Sequence, residues 1–313
     1  MAMPVAPLFI GIDTAKAKLD IAIDGQEPVV TIANTKADIR RFLRAIPAGS
    51  ALAIEATNTF HMEVVEQAYA VGITVYVVDA FQLSHYRKGI GHRAKTDQAD
   101  ARLLLRYLLA EYRTLRAWAP PKGPYRQIQT LLRRRARLVQ ARVSLQQSFG
   151  DLPGLQLPLA GVKRQLGALE RAIERRLRAL LKEHGLMDQV KRCEAIEGIG
   201  FLTATALVMA NLRGEFASSD AFIAFLGLDV QVRESGGFSG RRKLTKKGDR
   251  EVRRLLHNAA MAACRLGRWK VLYEKHLSRG KSKIAALVIL ARKLARVAFA
   301  VLRSGENYRP VSV

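Results

Sequence analysis

The chain has 313 residues, 49% of them hydrophobic and only 10 of them Pro, which gives material for a packed core and length for two domains. It carries 52 Lys+Arg against 27 Asp+Glu, a formal charge of +25, and a field of that sign selects a polyanionic partner, nucleic acid before an anionic membrane surface. No run reaches the length of a transmembrane helix, Met1-Ala2-Met3-Pro4-Val5 lacks the charged and apolar regions of a signal peptide, and Cys193 and Cys264 have no ligand spacing; the expectation is a soluble, intracellular protein without zinc site or disulfide.

In chain order, Leu8 to Ile12, the alternating Leu19 to Ile23 and Val29 to Ala33 read as three strands joined by short turns such as Asp24-Gly25. Ile39, Phe42, Leu43 and Ile46 recur at helical spacing after Asn34-Thr35, and Pro47-Ala48-Gly49 ends that helix. A strand at Ala51 to Ile54, a helix through Val64, Val65 and Ala68, and the β-branched run Ile73 to Val78 follow. Periodicity establishes a mixed α/β domain; the order of its elements resembles the ribonuclease-H-like fold.

Four acids stand out against the basic background. Asp13 and Glu55 each follow an apolar strand, and Asp97 and Asp100 are three apart on one face at the head of a helical pattern. Hard oxygen ligands converging from separate elements suit Mg²⁺, which keeps room for waters and substrate phosphates.

Charge divides the chain. Residues 1–80 hold six basic and nine acidic residues, 122–182 hold fourteen and three, and 232–255 hold nine and three. Strands vanish after about residue 125: Ile128, Leu131, Leu132, Leu138 and Leu145 interleave with Arg133, Arg134, Arg135 and Arg137, and beyond Leu152-Pro153-Gly154 to Pro158 a second helix runs through Leu166, Leu169, Ile173, Leu177 and Leu180. Two amphipathic helices with basic faces predict a helical hairpin or coiled-coil arm that contacts RNA or DNA backbone. Ile196-Glu197-Gly198-Ile199-Gly200 before Leu202 to Leu207 looks like a helix-hairpin-helix element, whose Gly-rich turn offers N–H groups to a phosphate. Next comes Glu234-Ser235-Gly236-Gly237-Phe238-Ser239-Gly240, then Arg241, Arg242, Lys243, Lys246 and Lys247: a hydroxyl in a glycine loop among cations is suited to attack a phosphate.

Gly11-Ile12-Asp13, Ile54-Glu55-Ala56-Thr57, Lys95-Thr96-Asp97-Gln98-Ala99-Asp100-Ala101-Arg102, Gly198-Ile199-Gly200, Ser235-Gly236, Thr245-Lys246-Lys247-Gly248-Asp249 and Arg279-Gly280-Lys281 with Ala291-Arg292-Lys293-Leu294 follow, over almost the whole chain, the order of the DEDD transposases. These are insertion-sequence recombinases of the IS110 family, which also includes Piv-type DNA invertases. The resemblance implies a RuvC-like catalytic domain over residues 1–121, a basic helical coiled-coil arm over 122–190 and a mainly helical transposase domain over 191–313 that carries a serine. It implies Mg²⁺ on Asp13, Glu55, Asp97 and Asp100, with Ser235 as the nucleophile that joins covalently to DNA. A structured bridge RNA would pair with donor and target DNA, and a homodimer would assemble into a tetramer in the synaptic complex, in the bacterial cytoplasm at the nucleoid. Two departures stand: Asn58-Thr59-Phe60-His61 replaces the family's glycine and aromatic after Glu55-Ala56-Thr57, and Ser239 lies four residues beyond Ser235 in the same loop. The Ser-Gly pairing favours Ser235.

Competing readings are a Piv-like site-specific invertase, a metal-dependent nuclease or junction resolvase that activates water, and a binding protein without chemistry whose acids balance neighbouring cations. The six histidines, His61, His85, His92, His184, His257 and His276, show no recurrent ligand spacing.

Overall fold

The computed structural model describes residues 7–56, 59–91, 96–231, 234–235, 238–239 and 242–310, with the side chains of 232–241 outside the description. Its contacts divide the chain into two units, Met1–Pro120 and Pro121–Val313.

The first unit is built on strands β1 (Phe9–Thr14), β2 (Lys18–Ile23), β3 (Val30–Ala33), β4 (Ala51–Glu55) and β5 (Thr74–Val78), with helices α1 (Lys36–Arg44), α2 (Met62–Ala70), α3 (Ala80–Gly89) and α4 (Asp97–Glu111). The sheet order is β3-β2-β1-β4-β5. β2 runs antiparallel to β1 and β3, while β4 is parallel to β1 and β5. This is the strand order of the ribonuclease-H-like arrangement expected from the sequence.

Alternation along the strands sorts residues between the two faces. Ile10, Ile12, Leu52 and Ile54 pack with Ile39 and Leu43 of α1 and Val64, Val65 and Ala68 of α2. Ala53, with Phe9, packs on the other side against Leu83 of α3 and Leu103, Leu104 and Leu108 of α4. Small residues let α4 approach this second face: a Cβ on Gly11 would lie 2.3 Å from both the Ala101 carbonyl oxygen and the Leu105 nitrogen. Helix α3 was not foreseen, because Leu83 is its one buried side chain and its apolar period is correspondingly weak. Its start is explained by Asp79, whose carboxylate accepts from Phe81 N and Gln82 N.

The second unit contains α5 (Tyr125–Phe149), α6 (Gln156–Glu183), α7 (Met187–Glu194), α8 (Phe201–Asn211), α9 (Ser219–Phe225), α10 (Arg250–Ala263), α11 (Gly267–Ser278) and α12 (Lys283–Ser304). Helix α8 has eight buried residues in succession, Thr203 to Ala210, and forms the middle of the core with α10 and α12. Thr203 satisfies its hydroxyl on the Leu255 carbonyl at 3.3 Å. Helices α5 and α6 lie antiparallel: Arg135 reaches Glu174 and Arg142 reaches Glu170. Only their near ends, Ile128 and Leu132 with Leu177 and Leu181, join the main core. Pro158 sits in the first turn of α6, where N–H groups have no intrahelical partner to lose.

Short strands fill the stretch between α9 and α10. β6 (Val230–Gln231) pairs with β9 (Lys243–Leu244), and β7 (Glu234–Ser235) pairs with β8 (Phe238–Ser239). The base of this excursion is pinned by Thr245, which donates from its backbone to Asp229 O at 3.0 Å and from its hydroxyl to the Asp229 carboxylate. Gly248 makes the crossing possible, since a Cβ there would meet the Phe225 oxygen at 2.5 Å.

Candidate active site

Four of the sequence-selected acids come from three elements of the first unit. Asp13 lies near the end of β1, Glu55 ends the neighbouring parallel β4, and both take the strand face that Gly11 and Ala53 present to α4. Asp97 and Asp100 occupy the first turn of α4, behind Thr96, whose hydroxyl accepts from Ala99 N at 3.2 Å. A helix N-terminus favours negative charge, so these acids also suit their helix. The close seating of α4 on Gly11 brings its first turn to Asp13.

The electrostatics register that convergence. Asp13 is pushed up from 3.8 to about 6, first by burial and then by the charges of Asp100, Asp97 and Glu55, against a backbone hydrogen bond from Thr14 that lowers it. Carboxylate oxygens of Asp13, Asp20 and Asp97 lie within 4.8 Å of one another. Asp20 is a further acid of this cluster, one that the sequence reading missed. It stands directly across β2 from Asp13 in the antiparallel register and is 2% exposed. Its signal in the sequence is the alternation of β2, which puts Lys18, Asp20 and Ala22 on one face; an Asp amid Leu19, Ile21 and Ile23 is out of place unless that face carries a polar site.

Two cations partner three of the acids. Arg87 of α3 donates to Asp100 at 2.7 Å, both side chains largely covered. Lys18 bridges Asp97 at 2.8 Å and Asp20 at 3.0 Å, and these hydrogen bonds push its ammonium well above the ordinary lysine range. The donor set is all carboxylate oxygen, and Asp13 keeps an uncompensated like-charge load; both properties fit a hard divalent cation.

The second unit holds the other selected residues. Ser235 lies on β7 opposite Phe238 of β8, and Ser239 lies opposite Glu234. The side chains of both serines lie outside the described residues, as do Arg241, Thr57, Asn58 and Lys95. Arg242, Lys243, Lys246 and Lys247 are exposed around the base of the strand excursion. On α5 the arginines divide. Arg133 clasps Asp249 at 2.7 and 3.1 Å, and Arg135 binds Glu170 and Glu174 at 3.4 and 2.7 Å. Arg134 and Arg137 are exposed and make no ion pair among the described residues.

Two family models match this chain. One, a DEDD transposase model of the IS110 type, covers residues 10–152, and the other, described as Transposase IS116/IS110/IS902 family, covers residues 190–274. The chain belongs to the IS110 family of transposases. It is accordingly a DNA transposase or recombinase.

This IS110-family chain is 28% identical to a probable family 20 transposase of Pseudomonas aeruginosa, over 96% of this chain and 98% of the relative. It is 24% identical to the pilin gene-inverting protein of Moraxella bovis, over 82% of this chain and 81% of that protein. With the transposase for insertion sequence element IS1328 of Yersinia enterocolitica it shares 33% identity over 41% of this chain and 40% of the relative. Two solved structures of Thermus thermophilus RuvC, one in complex with a Holliday junction substrate, align at 16% and 14% identity over 36% of this chain and 99% and 100% of theirs. The TM-scores of 0.26 and 0.27 are too low for that likeness to carry weight. Membership of a DEDD family implies use of a divalent metal, which agrees with the donor chemistry of the acid cluster. Among the described residues no helix is long and apolar enough to cross a membrane.

Proposed function

We propose that this transposase is an RNA-guided DNA recombinase of an insertion sequence that cuts and exchanges strands with Mg²⁺ and a serine nucleophile. The observation that carries the reading is the convergence of Asp97, Asp100 and Glu55 on Asp13, strong enough to raise the Asp13 carboxyl to about 6. Asp13, Glu55, Asp97 and Asp100 would hold Mg²⁺, which when bound supplies Lewis acidity and charge neutralisation at a scissile phosphate. Arg87 orients Asp100, and the α4 N-terminus fixes both helix acids in one turn.

Ser235 is assigned as the nucleophile. Its Oγ forms a bond to phosphorus as the bond from phosphorus to the leaving strand's oxygen breaks, and the serine proton ends on that oxygen. Attack by a strand hydroxyl on the phosphoserine reverses the step and joins the new strand, so phosphodiester energy is conserved through exchange. The cations Arg241, Arg242, Lys243, Lys246 and Lys247 on the same excursion would neutralise the backbone. Arg133, Arg134, Arg135 and Arg137 are assigned to the basic arm that takes a bridge RNA.

In this reading residues 1–121 are the catalytic domain, 122–190 a coiled-coil arm and 191–313 the transposase domain, with the α7–α8 turn as a helix-hairpin-helix phosphate contact. Donor and target DNA and the guide RNA are the partners, and a homodimer pairs into a tetramer at synapsis. A second reading, site-specific inversion, is favoured by the Moraxella pilin gene-inverting relative, which matches over most of both chains.

Trapping the protein on its DNA and mapping the adduct by peptide mass spectrometry tests the serine. Wild type is expected to carry DNA on Ser235, Ser235→Ala to lose the adduct and Ser239→Ala to keep it. DNA on Ser239 would move the residue, and efficient cutting without any adduct would hand the reaction to water.

A further inference from the structure

The acid cluster contains a cation that the proposed chemistry does not use. Lys18 Nζ sits between Asp20 and Asp97, at 3.0 and 2.8 Å. Its two partners are unlike. Asp20 is buried and fixed: Thr31 donates its hydroxyl to Asp20 Oδ1 at 2.6 Å, leaving Oδ2 for Lys18. Among the described residues Lys18 is the one cation bonded to Asp20, and strand spacing places the two side chains on one face of β2. Asp97, by contrast, has a side chain 54% exposed, and an ion pair so open to water is weak and readily exchanged.

Arg87 on Asp100 provides the control within the same site. That pair is covered, with side chains 17% and 14% exposed, and a guanidinium holds its charge and its planar geometry wherever it is placed. Lysine is a point charge on a flexible stem. The cluster therefore has one permanent cation that orients Asp100 and one tethered cation that can let go of Asp97 without leaving Asp20.

We propose that Lys18, anchored by Asp20, is a built-in counter-cation of the acid cluster: it holds the Asp97 carboxylate beside Asp13 before metal arrives and yields Asp97 when a divalent cation binds. Lys18 and Asp20 are positioning residues on this account. Their work is to keep five neighbouring carboxylates from splaying apart, at the cost of competing with the incoming ion. The proposal rests on the metal reading given under Proposed function.

Calorimetric titration of the full-length protein with Mn²⁺ tests it. Removing a competing positive charge within a few ångströms of a divalent ion strengthens its binding, so Lys18→Met is expected to bind Mn²⁺ on the order of tenfold more tightly. Lys18→Arg, which keeps the competing charge, should bring the affinity back toward wild type. Asp20→Asn is expected to weaken Mn²⁺ binding, since Lys18 is then free to pair with Asp97 alone. Adding Lys18→Met to Asp20→Asn should recover the affinity; that double variant also covers the case in which Lys18→Met misfolds with Asp20 buried and unpaired. Removal of a purely structural lysine would not raise affinity. Unchanged or weaker Mn²⁺ binding by Lys18→Met, or by the double variant relative to Asp20→Asn, would overturn the proposal. Failure of wild type to bind Mn²⁺, or binding indifferent to Asp13→Asn, would remove the metal reading and this inference with it.

Discussion

Asp13 of the first unit is treated in the opposite way from the prominent acids of the second. In the second unit each prominent carboxylate is given its own donors. Asp249 takes Arg133 and Gln129, Glu251 takes both arms of Arg254 at 2.6 and 2.7 Å, and Glu170 takes Arg135 and Arg142. Burial pushes Asp249 up, but the Arg133 charge together with the hydrogen bonds from Arg133, the Glu251 backbone and Gln129 outweighs it, and its carboxyl ends below 3.8. In the first unit, Asp13 faces other acids and is raised to about 6. A chain with nearly twice as many cations as anions thus leaves its like charges together in one place. An arrangement that works against the fold where counterions are plentiful is the pattern expected of a site kept for chemistry, as proposed for these acids.

The comparison breaks first at Asp13. Asp13→Asn should abolish DNA cleavage while raising the melting temperature of the metal-free protein by ~3 °C, the scale on which about 1 kcal/mol moves a domain of this size. The pH dependence has the same origin. A carboxyl raised from 3.8 to about 6 binds its proton more tightly when folded, so stability falls as pH climbs through that window and is flat above it. Thermal melts without metal across pH 4–7 should show this slope in wild type and not in Asp13→Asn; a variant that melts lower at pH 7 would mean Asp13 supports the fold.

Next in size is Gly11→Ala. The added Cβ collides with α4 backbone, so the helix carrying Asp97 and Asp100 must shift, costing roughly 1–3 kcal/mol and weakening divalent-metal binding together. Denaturant unfolding with a metal titration checks both, and a loss of stability with metal affinity intact would separate packing from the site.

Glu170→Gln probes the opposite pattern. It strips Arg135 and Arg142 of a shared, nearly covered partner and should cost about 1–3 kcal/mol, discounted for the exposure of Arg142, without touching metal binding. Urea unfolding measures it. The smallest effect concerns the exposed pair on α5. Arg134→Gln with Arg137→Gln should leave stability unchanged and flatten the dependence of log affinity for RNA on log salt by roughly 0.7 per lost phosphate contact. Arg133 and Arg135 serve as ties to acids, so changing them confounds affinity with folding, and the two exposed arginines give the cleaner test.

The sequence by itself determined the local order of both units. The apolar run Leu8 to Ile12, the alternation of Leu19 to Ile23, the capping oxygens at Asn34-Thr35 and the breaker from Leu152 to Pro158 are read within a few residues of the elements they mark, because period, cap and turn are properties of short stretches. The placement of Asp13, Glu55, Asp97 and Asp100 was legible for the same reason: each stands at the end or head of a recognisable element. Asp20 was not, because its meaning comes from the cross-strand register that sets it opposite Asp13. Nor did the sequence separate Arg133 and Arg135 from Arg134 and Arg137, which share one run of charge. Only packing against Asp249, Glu170 and Glu174, more than 30 residues away along the chain, decides which arginines are ties and which face water. Contacts between distant segments depend on how helices and strands are laid beside one another, and that information is held by the assembled core rather than by any short stretch of the chain.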